Sequence, residues 1–332
     1  MGVRQFLVPA ENCDEDLGSS SLAENSDYFA VKVLEMRLAK TRSWFVDRNP
    51  MLYVRTSFLY GGEQRHLPFV LGPPAQDDAA AVPAALPADL VAQDVLAAGW
   101  HPYRGKGLAL LVALYSVPDD SQLTAMLSMI DRLITAAKLV PGLGAYLTVV
   151  DAVQQGVTTI GGGSETKSVL GWQRSFDGAA LRPGMWVLAT KELEPRAAFV
   201  RHRRLVYGNT GAPPDGVDYV LLSIERTTSV DGAGDLPDIA FLRRLVNDYA
   251  GIPGDEAWDL ARAHLASLAT AVLNSPDLTH PQAESLVTAY RMGAKQRRVK
   301  VMEAAARSGS PSAPLPAEAG EALAMLRTDD QP

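Results

Sequence analysis

The chain has 332 residues, a formal net charge of −7 and a single cysteine. With 47% hydrophobic and 21% charged residues it has the usage of an ordinary globular protein, long enough for about two domains; this excludes collagen-like, fully disordered and disulfide-stapled architectures. The acidic balance argues against a protein coated in nucleic acid. The first residues hold no apolar run of signal-peptide length, so a cytoplasmic location is expected.

Residues 11–27 (ENCDEDLGSSSLAENSD) carry six acids and no base, and residues 1–27 are read as an acidic N-terminal arm. A β-rich body is expected over 28–230. FAVKVLEMRL (29–38), LYVRTSFLY (52–60) and HLPFVL (66–71) are short runs of β-branched and aromatic residues, separated by turn signals at Asn49-Pro50, Gly61-Gly62 and Gly72-Pro73-Pro74. Alternation in 52–60 sets Leu52, Val54, Thr56, Phe58 and Tyr60 on one face and Arg55 and Ser57 on the other, the pattern of a strand with one wet face. Residues 75–89, rich in Ala and Pro, read as an exposed connection. GLALLVALYSV (107–117) is almost wholly apolar and reads as a central strand.

A helical hairpin over 120–163 interrupts the strands. Leu123, Met126, Leu127, Ile130, Leu133, Ile134 and Ala137 share one helical face; after Pro141-Gly142, Leu143, Tyr146, Leu147, Val150, Val153 and Val157 share another. Strand signals return in KSVLGWQRSF (167–176), GMWVLATK (184–191), RRLVYG (203–208) and VDYVLLSIE (217–225). Short strands with Pro/Gly turns favour an α+β fold built on an antiparallel sandwich-like body, and the lack of regular strand–helix alternation excludes a Rossmann arrangement.

The last third is helical, over 236–306. Pro237 suits the first turn of a helix with Leu242, Leu245, Val246 and Tyr249 inward. Asp255 opens a second, with Trp258, Ala261, Leu265, Leu268 and Val272 inward. Thr279 and Gln282 resemble a capping box opening a third helix, through about Ala306. Residues 307–332 read as a flexible tail, in which EAGEALAMLR (318–327) has the composition of a short docking helix.

No catalytic motif emerges. Gly105-Lys106 fails as a P-loop, because Trp100 stands where the first glycine belongs and Gly107 where Ser or Thr should hold magnesium. Gly161-Gly162-Gly163 follows a helix, so it lacks the dinucleotide-binding context. The histidines His66, His101, His202, His264 and His280 are not spaced as helical metal ligands, and no metal or cofactor is expected. Acidic neighbours should raise the pKa of Cys13 and leave it a poor nucleophile.

Two surface features remain. One is the hairpin, represented by Met126, Leu127, Ile130, Leu133, Ile134, Leu143 and Leu147, which either packs on the sheet or meets a membrane or partner. The other is the run RMGAKQRRVK (291–300), whose Arg291, Lys295, Arg297, Arg298 and Lys300 suit an acidic protein surface or an anionic membrane; stacking aromatics are absent from it. Arg201-His202-Arg203-Arg204 is a smaller version of the same feature. By fold-level analogy the architecture resembles accessory subunits of bacterial multi-protein assemblies, defence systems among them. The expectation is a non-enzymatic binding or scaffold subunit with a protein partner or a second copy of itself. The alternatives are a membrane-associating or membrane-disrupting effector that uses the hairpin, and a hydrolase with a site near His101 and Arg104.

Overall fold

In the computed structural model, residues 3–39, 42–43, 46–71, 94–105, 107–118, 167–176, 181–208 and 211–308 are described. The chain divides into two compact units, residues 1–24 with 29–227, and residues 25–28 with 228–332.

The first unit is a β sandwich. One sheet has the order β1 (Arg4–Leu7), β9 (Gly184–Ala189), β12 (Tyr219–Thr227), β2 (Tyr28–Arg37), β6 (Val95–Pro102). The other runs β4 (Val46–Tyr60), β7 (Leu108–Pro118), β8 (Lys167–Phe176), with β3 (Arg42–Ser43) and β5 (Glu63–Leu71) both paired to β4. Side chains alternate faces along a strand, and the inward sets of the two sheets meet in one core. Phe29, Val31 and Val33 of β2 and Val220, Leu222 and Ile224 of β12 join Leu52, Val54 and Phe58 of β4, Leu110, Val112 and Leu114 of β7, and Trp172 of β8. On the opposite face of the first sheet, Leu34, Val187, Tyr219 and Leu221 pack against Ala198, Val200 and Leu205, which belong to the hairpin of β10 (Ala198–Arg201) and β11 (Arg204–Tyr207).

Three expectations for this unit need correction. Asn49-Pro50, expected to mark a turn, lies within β4 and pairs with Val117 and Ser116 of β7. The wet face of 52–60 is not wet: Arg55 is 5% exposed and Ser57 1%, beside buried Met51 and Tyr53. Polarity alone misled the reading, because a buried hydroxyl is tolerated when its partner stands across the strand, and Ser57 Oγ shares a 2.8 Å hydrogen bond with His66 Nδ1. The acidic segment, read as an arm, is instead fastened to the body through residue 24. The Asn12 amide donates to the carbonyls of Arg196 and Ala198, Cys13 bridges to Val200, and Leu22 is buried in the sandwich core. Strands β1, β6 and β10 went unread in the sequence, being short or interrupted by glycine and proline. The connection 75–89, the hairpin residues Met126, Leu127, Ile130, Leu133, Ile134, Leu143 and Leu147, and the tail from 309 lie outside the described residues.

The second unit holds α1 (Pro237–Ala250), α2 (Asp255–Leu273) and α3 (His280–Ser308). Proline starts α1 because its fixed φ and missing N–H cost nothing in a first turn. Ile239 and Val246 of α1, Leu268 and Val272 of α2, and Ala283, Val287 and Ala294 of α3 form the core. The capping box at α3 does not form. The Thr279 amide donates to the Tyr28 hydroxyl at 2.9 Å, and the Gln282 side chain turns to both backbone groups of Val230. Asn25 accepts the His280 N–H, so residues 25–28 cap a helix some 250 residues away in sequence, about the separation of Tyr28 and Thr279 (251).

Candidate interaction surface

Helix α3 carries the basic run. Its buried residues Ala283, Val287 and Ala294 fix the inward face, and the long side chains of 291–300 are distributed around the rest of the helix. Arg298 is the exception to a free cation. It is 11% exposed, donates to the Ile252 carbonyl at 3.0 Å, meets Asp255 at 3.2 Å and covers the Trp258 ring. Arg298 is therefore a structural clasp, whereas Arg291 and Lys295, seven and three residues before it, are solvent-exposed. Arg291, Lys295, Arg297 and Lys300 are exposed and have no acidic partner among the described residues. From Ser285 to Met302 the helix contains no acid. Between these cations lie apolar side chains that helix burial does not account for: Met292 and Val299 are each 55% exposed and Met302 44%. Met292 and Val299 are seven residues apart and so share a face, with Lys295 and Gln296 between them.

A groove of about 640 Å³ runs beside this surface. Its floor is one face of α1, where Phe241, Arg244 and Asp248 recur at helical spacing with Arg243 and Asn247, and Arg297 of α3 forms its flank. The Arg244 guanidinium lies 5.7 Å over the exposed Phe241 ring. Arg243 contacts Asp235 at 3.3 Å, and Arg297 Nε sits close to Gly251, where a Cβ would come within 3.1 Å of it. Nothing in the spacing of 241–248 reveals that Arg297 of α3 lines the same groove.

The β body uses its own basic cluster differently. His202 and Arg203 turn the β10–β11 hairpin with φ of 50° and 62°, a left-handed turn that non-glycine residues adopt at a cost. Arg203 is bonded to Asp94 and, at 2.7 Å, to Glu15, with Glu225 at 3.6 Å. Lys32 reaches Glu225 at 2.8 Å. Arg201 donates to the Asn12 carbonyl, and Asp14 accepts the His202 N–H. Under the same hairpin, fully buried Glu35 accepts the Leu205 N–H at 2.7 Å with Arg204 Nε at 3.7 Å, and burial pushes its carboxyl above the usual range. Burial, ahead of neighbouring Asp14, also raises the Cys13 thiol.

His101 lies in β6 among aromatic rings, 4.5 Å from the Phe58 centroid and 6.2 Å from that of Tyr60. His66 is lowered by burial and then by the Arg55 charge. His264 is stacked on Tyr249 and lowered by burial. No group of three or more His, Cys, Asp and Glu side chains among the described residues has the arrangement of a metal site.

No protein family, curated protein or solved structure matches this chain. Its surfaces therefore speak through their own chemistry. No helix among the described residues is long and apolar enough to cross a membrane.

Proposed function

We propose that the protein is a non-enzymatic binding or scaffold subunit of a bacterial multi-protein assembly, and that α3 is its principal partner-facing element. The observation that carries this reading is the exposed strip of Met292, Val299 and Met302 set among the unpaired cations Arg291, Lys295 and Lys300. Apolar side chains of this size are left in water at a cost unless a partner covers them. Cations without internal partners favour a complementary acidic rim and speed its encounter. A partner protein with an acidic surface around a small apolar patch fits both halves of the strip; a purely electrostatic ligand fits only one.

The test compares the parent chain with two full-length variants, Lys295→Glu/Lys300→Glu and Met292→Asp/Val299→Asp, each expressed in the native host and captured by affinity. A fixed partner recovered in a constant ratio with the parent, and lost from both variants while their melting temperatures are unchanged, is the expected result. Recovery that is indifferent to both pairs of substitutions removes α3 from the interface. Sedimentation with vesicles containing phosphatidylglycerol, lost in the charge variant, would instead assign the strip to an anionic membrane.

A further inference from the structure

The groove between α1 and α3 is chemically unlike the exposed strip. Its lining carries Arg243, which is paired with Asp235, and the guanidinium groups of Arg244 and Arg297, which have no acidic partner among the described residues, against one lining carboxylate, Asp248; it adds the ring of Phe241, which is 53% exposed. Such a lining suits a segment that alternates carboxylates with aliphatic side chains, because the cations need acids and the ring needs apolar cover.

The sequence that follows α3 has this character. Residues 318–330 (EAGEALAMLRTDD) contain Glu318, Glu321, Asp329 and Asp330 against a single base, Arg327, and place Leu323, Met325 and Leu326 between the two acidic pairs. The connection is long enough. Arg297 precedes Ser308 by eleven residues, about 16 Å along a helix at 1.5 Å per residue. The nine residues 309–317, which include Pro311, Pro314 and Pro316, span up to about 28 Å at roughly 3.1 Å per residue. The chain can therefore double back from the end of α3 to the level of Arg297 with reach to spare.

We infer that the α1–α3 groove is the docking site for this chain's own acidic segment 318–330. Glu318 and Glu321 face the arginines, and the Leu323–Leu326 stretch covers Phe241. Tethering makes such docking effective even when each contact is weak, since a short linker holds the segment at an effective concentration on the order of millimolar. This inference stands apart from the reading of the α3 strip, since it concerns other residues and an occupant within the chain.

The experiment uses the full-length chain with Cys13→Ser and a nitroxide on a new cysteine at Ala324→Cys or, separately, Ala319→Cys. At low salt the spin-label spectrum should show an immobilised component whose share does not change with protein concentration. Arg244→Glu/Arg297→Glu should lower the ratio of immobilised to mobile label by at least about fivefold, as expected for the loss of two exposed ion pairs. Adding Glu318→Arg/Glu321→Arg to that variant should restore it. Both arginines are surface residues, so an unchanged melting temperature separates lost docking from unfolding. A mobile spectrum at both label positions, or a ratio indifferent to the charge reversals, overturns the inference. An immobilised share that grows with concentration also overturns it, and assigns the groove to a second copy of the chain.

Discussion

Arg201–Arg204 and Arg291–Lys300 are the two dense basic runs of the chain, and their side chains meet opposite fates. In the β body, Arg203 is bound by Glu15 and Asp94, Arg204 approaches buried Glu35, and Arg201 holds the Asn12 carbonyl. Of the cations in 291–300, Arg298 alone is consumed in this way, by Ile252 and Asp255. The first run closes a structure, tying the acidic N-terminal segment to a strained hairpin turn. The second leaves its charge available. Both runs are rich in arginine and contain no acid, so the difference comes from whether tertiary neighbours supply acids and carbonyls at bonding distance.

The largest expected effect falls on the closed cluster. Arg203→Glu would place a fourth carboxylate beside Glu15, Asp94 and Glu225, with Lys32 as the nearby cation. Destabilisation of about 3 kcal/mol is expected in urea unfolding, as for a partly buried network broken at one member. A loss no greater than that of Lys300→Glu would erase the contrast between the two runs.

Tyr28→Phe should cost about 1–2 kcal/mol, because the buried Thr279 N–H loses its acceptor at the start of α3. Hydrogen exchange at Thr279 and along the first turn of α3 should accelerate in the same variant. Unaltered protection would mean that the amide finds another acceptor.

Glu35 offers a pH-dependent test. Its carboxyl is raised in the folded chain, so the folded state holds this proton more tightly than the unfolded state does. The corresponding stabilisation is fully present below the unfolded value of about 4.3 and is lost as pH rises through the higher folded value. Urea midpoints of the parent and Glu35→Gln, measured from about pH 4 to about pH 8, should diverge in favour of the glutamine variant as pH increases. Parallel curves would show that Arg204 and the Leu205 amide fully offset the buried charge.

The smallest effects should come from the open run, and they sharpen the comparison within one helix. Arg298→Ala is expected to cost about 1 kcal/mol through the lost carbonyl bond and the uncovered Trp258 ring. Arg291→Ala should change stability by less than about 0.5 kcal/mol. Equal values for the two would mean that the Arg298 clasp contributes nothing to the fold.

Much of the architecture was legible because hydrophobic periodicity is a local property. The all-apolar run of β7, the apolar and β-branched runs of β2 and β12, Pro237 at the head of α1 and the inward set Ala261, Leu268 and Val272 of α2 all follow from local residue types and their spacing. Short β1 and β10 were not legible, since four residues carry too little pattern and their strand identity comes from pairing with β9 and β11. The candidate interaction surface was half legible. The cations of 291–300 stand in the sequence, but their division into clasp and free charge does not.

The sequence by itself determined the three helices, the longer strands, and that charge accumulates in two basic runs and an acidic N-terminal segment. Tertiary structure alone decided what those charges do. A guanidinium becomes structural only when carbonyls and carboxylates from distant segments arrive within bonding distance, as Glu15 and Asp94 do for Arg203, and as Ile252 does for Arg298. It decided equally that Ser57 is buried, that Tyr28 caps a helix 251 residues away, and that Phe241 and Arg297 share one groove. Each of these depends on the meeting of residues far apart in the chain, whose energies no local pattern of residue types encodes.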